Sequence, residues 1–262
     1  MEDILDLDKY PLHALDSHAG QELVAWCKAE LDRVGLFNLD RLVRPEALEK
    51  ILAEVNPLLA TESYLHRQYH NVYFLKDVTG VSPDHPALRK ATTQNRKICA
   101  DQMPDSLVMK IYEWPPLIKF LATVMEKPVL YTMEDPMARV NVFNYQQGEQ
   151  LNWHFDRSEF TTTLLLQPPT DGGKFLYRRG LRSDDDPNYD GVANVLAGND
   201  NQIESVTLSP GTLNIFKGKN TLHSVSPVVG PEERVIAVFS YYEFPGKLFS
   251  DEERMTFYGR TQ

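Results

Sequence analysis

Three residues, His154, Asp156 and His223, carry side chains that commonly bind a divalent metal ion. His154 and Asp156 stand two positions apart in the run NWHFDR, and His223 follows much later in the run TLHSV. Residues i and i+2 of a strand point to the same face, so the first two would face one centre. Two imidazoles and one carboxylate on one side of a metal, with the other positions open, are typical of non-haem Fe(II) sites. The pattern therefore predicts that these three residues bind Fe(II).

Arg234 strengthens this interpretation. It comes eleven residues after His223 and opens the apolar run RVIAVFSYYEF. A buried arginine needs an anionic partner, because an unpaired buried charge is costly. A dicarboxylic cosubstrate would supply one through two parallel hydrogen bonds. The tripeptide His-x-Asp alone is common, and a lone histidine in a strand is more often a core residue, so only the joint pattern favours an iron site.

Two different halves of the chain must position these residues. In the first half, apolar residues at helical spacing predict helices over residues 21–34, 45–59, 106–112 and 116–126. From residue 137 onward, short runs rich in Val, Leu, Thr, Phe and Tyr alternate with turn residues. This pattern predicts about eight antiparallel strands.

The predicted fold class is α+β, a double-stranded β-helix of jelly-roll or cupin type braced by N-terminal helices. Residues 1–262 form one predicted domain, with mainly helical support at 1–136 and the jelly-roll core at 137–250. The polar insert at 180–202 is too long for a hairpin turn, and we predict that it is a lid.

Composition excludes several classes of protein. The 262 residues are 42% hydrophobic and 24% charged, as in ordinary globular domains and unlike disordered chains. The net charge of −10, without a dense basic run, argues against nucleic acid as a partner. The two cysteines, Cys27 and Cys99, form no framework, and we predict that both are reduced core residues. With no recognisable signal peptide and no membrane-length apolar run, we expect a cytoplasmic protein that has no membrane partner.

Several longer segments carry a family resemblance: TTTLLLQPPTDGGKFLYRRGLRS, NYDGVANVL, SPGTLNIFKGKNTLHSVSPV and RVIAVFSYYEFPG. Together with the His-x-Asp pair, the later histidine and the arginine, they resemble the Fe(II)/2-oxoglutarate-dependent oxygenase superfamily. Within it they resemble the family of radical halogenases and hydroxylases of free amino acids. The resemblance implies that His154, Asp156 and His223 hold Fe(II). It also implies that Arg234 binds the distal carboxylate of the cosubstrate 2-oxoglutarate, with Thr163 as a further contact.

Asp156 decides which reaction the resemblance implies. Halogenating members of the family carry glycine at this position, which leaves a coordination position for chloride. With the carboxylate present, the resemblance implies a hydroxylase that consumes O2 and 2-oxoglutarate and releases succinate and CO2. The hydroxyl group would enter an unactivated C–H bond of the substrate, and no catalytic residue beyond the metal ligands is expected.

The resemblance further implies that the substrate is a small metabolite, a free L-amino acid. Arg67 is expected to bind its carboxylate, because the family's helical region lends a basic residue to this task. Trp153 and Arg157, beside the predicted ligands, are expected to line the pocket. Arg157 argues against lysine, whose ammonium group would need acidic neighbours, and leaves acidic or polar uncharged substrates open. Phe257 or Tyr258 is a candidate for a C-terminal flap.

Two alternatives stay open at this point. The same cofactors could act on a nucleotide, a peptide or a carrier-bound substrate. A non-enzymatic, cupin-like protein that binds a metal or a sugar is the other possibility, but such a protein would not require Arg234 at its position. The oligomeric state is not predicted.

Overall fold

Two β-sheets lie face to face in the computed structural model, which describes residues 1–75, 78 and 80–262. The α-helices in these ranges are α1 (His18–Val34), α2 (Pro45–Glu62), α3 (Leu107–Tyr112), α4 (Pro115–Val124), α5 (Tyr189–Leu196) and α6 (Asp251–Tyr258). The strands are β1 (Leu36–Leu39), β2 (Tyr64–His70), β3 (Ala91–Cys99), β4 (Tyr131–Thr132), β5 (Val140–Tyr145), β6 (Leu151–His154), β7 (Thr161–Gln167), β8 (Asp171–Gly172), β9 (Phe175–Arg178), β10 (Glu204–Val206), β11 (Leu213–Phe216), β12 (Leu222–Val225), β13 (Val228–Val229), β14 (Arg234–Phe239) and β15 (Tyr241–Tyr242).

The two sheets form the predicted double-stranded β-helix, and the fold class is confirmed. The seven-stranded major sheet has the order β1-β11-β7-β14-β5-β3-β2, and the four-stranded minor sheet has the order β10-β9-β12-β6. Neighbouring strands in both sheets run antiparallel. Short pairs, β13 with β8 and β15 with β4, close the edges.

Helices α1 to α4 cover the outer face of the major sheet, as the apolar spacing predicts. Helix α1 begins after Ser17, whose hydroxyl accepts a hydrogen bond from the N–H of Gly20. It ends at Gly35, which has a φ of 81°, a left-handed conformation that favours glycine. The apolar sides of the helices pack in one core with Leu164 and Leu166. Across the described ranges, none of the helices combines the length and the apolar character that spanning a bilayer requires.

Side chains along β7 point alternately to the two faces of the major sheet, and the two faces differ in polarity. Leu164 and Leu166 face the helices, whereas Leu165 packs in a second cluster between the sheets. Thr163 also faces the minor sheet, where its hydroxyl lies 3.5 Å from Oδ1 of Asn214 on β11. The space between the sheets is therefore lined by polar as well as apolar side chains.

The first half of the chain, for which the sequence predicts mainly helical support, also contributes strands to the major sheet. Strands β1, β2 and β3 belong to it and form both edges of the major sheet, with β1 paired to β11 and β3 paired to β5. The run YLHRQYH of β2 alternates polar residues on both faces, so it shows no hydrophobic period that would reveal a strand.

The predicted lid at residues 180–202 does not lie over the candidate ligands. Helix α5 within it packs through Val192 and Val195 against Phe155 and Leu222. Because Leu222 precedes His223 on β12, the two side chains point to opposite faces of the strand. The insert therefore covers the outer face of the minor sheet, where its apolar side chains find buried partners.

Candidate metal centre

His154, Asp156 and His223 converge at one point between the sheets. His154 ends β6 and lies directly opposite His223 on the neighbouring strand β12. Their Nε2 atoms lie 3.3 Å and 3.4 Å from the two carboxylate oxygens of Asp156. One nitrogen or oxygen of each residue lies within 4.8 Å of those of the other two. Among the described residues, this is the one group of three or more His, Cys, Asp or Glu side chains with such a spacing.

Backbone carbonyls orient both imidazoles. Nδ1 of His154 lies 2.8 Å from the carbonyl oxygen of Asn152, and Nδ1 of His223 lies 2.9 Å from that of Thr221. A carbonyl only accepts, so each Nδ1 carries a proton and, in the neutral ring, each Nε2 keeps the lone pair that binds a metal. Such hydrogen bonds to the non-ligating nitrogen are the usual support of a metal-binding histidine.

Asp156 is held by its own backbone and by two neighbours. Its N–H donates to the carbonyl oxygen of Gly218 at 3.2 Å, and its Oδ2 accepts a hydrogen bond from the Thr161 hydroxyl. A Cβ on Gly218 would come within 2.3 Å of Oδ2 of Asp156, so only glycine fits there. The surroundings are thus shaped for a carboxylate at position 156.

The three side chains titrate as a tightly coupled group. Burial alone would raise the pKa of Asp156, but attraction to His223 and hydrogen bonds from both imidazoles hold that pKa well below its usual range. Burial, and repulsion by His223, lower the pKa of His154. At His223 burial is outweighed by the Asp156 carboxylate, which raises its pKa. A divalent metal binds an ionised carboxylate and neutral imidazoles, so its binding would displace the proton that Asp156 favours on His223. Two imidazoles and one carboxylate are a donor set that fits Fe(II).

Aromatic rings surround the two imidazoles and shield them from water, while the Asp156 side chain keeps 21% of its surface exposed. The His223 ring centre lies 4.9 Å from that of Phe216 and 5.7 Å from that of Phe175. On the other side, the edge of Phe74 meets His154 with 5.9 Å between ring centres. Exclusion of water strengthens the electrostatic interactions of the ligands.

Arg234, at the start of β14, lies between the sheets with 4% of its surface exposed. Its guanidinium lies 5.7 Å from the centre of the Tyr145 ring, and no carboxylate of the described ranges pairs with it. Burial lowers its pKa, and only Tyr145 opposes that effect. A cavity of about 130 Å³, lined in part by Leu165 and Gly173, adjoins the side chain. An unpaired buried guanidinium beside a cavity is suited to bind the carboxylate of a small ligand.

The remaining predicted site residues are less closely gathered. Thr163 is buried on the inner face of β7. Trp153 points to the outer face of β6 and packs with the cluster beneath the insert. Arg157 is exposed, and its guanidinium pairs with the carboxylate of Glu253 at 3.1 Å. Arg67 is exposed on β2, on the face opposite to the buried His66 and His70 on the same strand, so the structure does not bring it together with the other predicted residues.

Sequence reasoning missed four residues that shape the centre. Thr161 and Gly218 hold Asp156, Phe74 packs against His154, and Tyr145 lies opposite Arg234 in the strand register. The glycine of the turn KGKN offered a signal, since a turn glycine often marks a close approach of two segments. The other three contacts depend on how distant segments come together, as in the pairing of Tyr145 with Arg234, and carry no mark in the sequence.

Solved structures with the same fold include enzymes that use iron and 2-oxoglutarate. An oxidoreductase of the 2OG-Fe(II) oxygenase family from Burkholderia pseudomallei superposes with a TM-score of 0.53 at 14% identity, over 85% of this chain and 92% of that one. AviO1 from Streptomyces viridochromogenes superposes with a TM-score of 0.56 at 16% identity, over 85% and 95% of the two chains. The non-heme alpha-ketoglutarate-dependent epimerase SnoN gives a TM-score of 0.56 at 15% identity over 85% and 83%. It has also been solved with Fe3+ and alpha-ketoglutarate bound.

The family match, the fold and the site together define a 2OG-Fe(II) oxygenase, with Fe(II) and 2-oxoglutarate as its cofactors. Within this superfamily, residues 19–245 match the family model described as Halogenase D, and the chain belongs to that family. No curated protein matches the chain. The family and its cofactors agree with the predictions made from the sequence.

Proposed function

We propose that this chain is an Fe(II)/2-oxoglutarate-dependent hydroxylase of a small free metabolite, a free L-amino acid. The observation that carries the proposal is the carboxylate of Asp156 in surroundings shaped to hold it. A halogenating site needs a coordination position for the halide, and here a carboxylate reaches the point where both Nε2 atoms converge. Removing that carboxylate would also leave the Thr161 hydroxyl without its acceptor.

In this proposal His154, Asp156 and His223 bind the iron, and Arg234 binds the distal carboxylate of 2-oxoglutarate. Thr163, buried on the same inner face, is a further contact for the cosubstrate. When bound, Fe(II) and 2-oxoglutarate together activate O2, releasing succinate and CO2 and delivering one oxygen atom to a C–H bond of the substrate.

The protein's own residues bind and orient the metal and the cosubstrate, and they exclude water from the site. The carbonyl groups of Asn152 and Thr221 hold the two imidazoles in one tautomer, so the ligating nitrogens need no rearrangement when the metal binds. Arg234, fixed beside Tyr145 and Gly173, sets how deeply the cosubstrate enters between the sheets. Precise positioning of this kind is the protein's main contribution in cofactor enzymes.

The wild-type enzyme is expected to give the same hydroxylated product in chloride buffer and in chloride-free sulfate buffer. The reason is that Asp156 occupies the position that a halide would need. Mass spectrometry of the product distinguishes an added oxygen atom from an added chlorine atom. A chlorinated product from the wild-type enzyme would refute the assignment of hydroxylation.

Two variants make this experiment sharper. Asp156→Gly should lower hydroxylation by more than about 100-fold, because one of three ligands is lost. Thr161→Val keeps the ligand and removes only its hydrogen bond, so a decrease of about 10-fold is expected. Equal hydroxylation by wild type and Asp156→Gly would show that Asp156 is not a ligand.

The substrate class is tested by measuring succinate release in the presence of each of the free L-amino acids. Stimulation by one of them, together with a product heavier by one oxygen atom, is the expected result. If none stimulates succinate release while nucleotides, peptides or carrier-bound residues do, the proposed substrate class is wrong. The assignment of Fe(II) and 2-oxoglutarate as cofactors is then unaffected.

A further inference from the structure

Lys97 is a buried cation that faces the space between the sheets. It lies on β3 with 3% of its surface exposed, on the same face of the strand as the buried Thr93 and Asn95. Its Nζ lies 5.1 Å from the centre of the Phe143 ring. No carboxylate in the described part of the chain pairs with it, although a buried lysine is almost always paired. Such an unpaired charge is costly to the folded protein unless a ligand completes it.

Asn95 adds an unpaired acceptor two residues before Lys97. Its side chain has 2% of its surface exposed, and its Oδ1 has no hydrogen-bond partner among the described residues. A buried polar atom without a partner costs about 1–3 kcal/mol, and such atoms are rare in native proteins. The inner face of β3 therefore presents a cation that the described chain surrounds with aromatic rings and no carboxylate and, two residues before it, an amide oxygen without a hydrogen-bond partner.

The inner face of β3 connects directly to the metal centre. The Thr93 hydroxyl lies 2.7 Å from Nε2 of His70. The His70 ring stacks on Phe74 with 4.3 Å between centres, and Phe74 in turn packs against His154. A molecule held at Lys97 would thus extend along a continuous wall towards the iron ligands.

Helix α6 closes the opposite side of this space. Phe257 and Tyr258 at its end place their ring centres 5.7 Å and 5.3 Å from Nζ of Lys97. The guanidinium of Arg157, the residue after Asp156, lies 5.7 Å from the centre of the Phe257 ring. Helix α6 therefore lies between Arg157 and Lys97.

We infer that Lys97 and Asn95 form the subsite for the polar head group of the substrate. The Lys97 ammonium binds the substrate carboxylate, and Oδ1 of Asn95 accepts a hydrogen bond from its amine. The inference rests on the proposed function and deepens it, because an α-amino acid carries this anion and this donor on one carbon atom. It also replaces Arg67, whose exposed side chain points away from the site, as the group that selects a carboxylate.

The test measures binding to the anaerobic enzyme loaded with Fe(II) and 2-oxoglutarate, so that no turnover is needed. Isothermal calorimetry compares each free L-amino acid with the matching amine that lacks the carboxylate. Binding of an amino acid should be about 10- to 150-fold tighter than binding of its amine, the range expected for a hydrogen bond to a charged group. Lys97→Met should lose a similar factor, and Lys97→Arg should recover part of it.

Controls separate this role from a merely structural one. Lys97→Met should unfold at or above the wild-type temperature, since it removes an unpaired buried charge and keeps most of the volume. The exposed Lys50→Met is the matched control and should bind the amino acid as the wild type does. If Lys97→Met binds the amino acid with wild-type affinity, the inference is wrong while the proposed function stands. If the wild type binds no amino acid, the proposed substrate class and the inference fall together.

The pH dependence of kcat/KM gives an independent prediction. Burial lowers the pKa of Lys97 to about 8 in the absence of substrate. The groups that face it are Cys99 on β3, His66 on β2, Phe143 on β5 and the two α6 aromatics. As the pH rises through about 8 the ammonium is lost, so kcat/KM should fall up to tenfold per pH unit. Lys97→Arg should remove this decline, and a wild-type profile that stays flat to pH 9.5, about 1.5 units higher, would contradict a role for the ammonium.

Discussion

Replacing His223 by alanine is expected to abolish tight Fe(II) binding and to lower turnover by more than about 100-fold. The imidazole has 2% of its surface exposed, and its Nε2 lies 3.4 Å from Oδ2 of Asp156. The carbonyl oxygen of Thr221 lies 2.9 Å from Nδ1 and fixes the orientation of the ring, so the ligating nitrogen is held in place. Calorimetric titration with Fe(II) under anaerobic conditions measures the affinity directly.

His223 also packs against Phe175 and Phe216, so the alanine variant loses packing as well as a ligand. A second variant separates the two effects. His223→Gln fills most of the volume and should fold, but its amide is a poor ligand for Fe(II). The exposed His13→Ala serves as the matched control and should bind iron normally. Wild-type iron affinity in both His223 variants would show that the three residues do not form the metal site.

The second large effect is expected at Arg234. Arg234→Leu should raise the KM for 2-oxoglutarate by more than about 100-fold, since a buried charge-assisted pair with the cosubstrate is lost. The variant should still fold. In the described part of the protein no carboxylate pairs with the guanidinium, so removing it leaves no buried charge without its partner. Iron affinity without cosubstrate should be unchanged, which separates this variant from those at the metal ligands.

Arg234→Lys tests whether charge alone is enough. Lysine offers a point charge in place of the planar pair of donors, so an intermediate KM is expected. Arg89→Leu, which removes an exposed arginine, is the control. An unchanged KM for 2-oxoglutarate in Arg234→Leu would rule out this residue as the anchor and would revive the interpretation as a cupin-like binder.

The parts of the fold that the sequence predicted are those fixed by local pattern. The helix over residues 45–59 was found because apolar residues recur at helical spacing, and the structure extends it only to Glu62. Likewise, the spacing of His154 and Asp156 predicted that both face one centre, and they do, although β6 ends at His154 and Asp156 is held beyond the strand by Gly218 and Thr161. Arg234 was recognised because a charged residue opens an otherwise apolar strand.

The parts that were missed depend on which strands become neighbours. Arg67 and His66 stand next to each other in sequence, and only the pairing of β2 with β3 decides that His66 faces inward. Lys97 lies in the polar run TTQNRKI, where nothing distinguishes a buried lysine from an exposed one. The insert at 180–202 was polar enough to indicate a lid, but its few apolar residues direct it to the outer face of the minor sheet.

The central claim is that His154, Asp156 and His223 bind Fe(II) and that Arg234 binds 2-oxoglutarate beside it. The most direct test adds Fe(II) and then 2-oxoglutarate to the wild-type protein without oxygen and records the weak visible charge-transfer absorption of the complex. We expect this absorption to appear for the wild type, to need both additions, and to be lost in His223→Gln. Arg234→Leu should require far more 2-oxoglutarate to produce it. Absence of the absorption in wild-type protein that is folded and saturated with both additions would contradict the account.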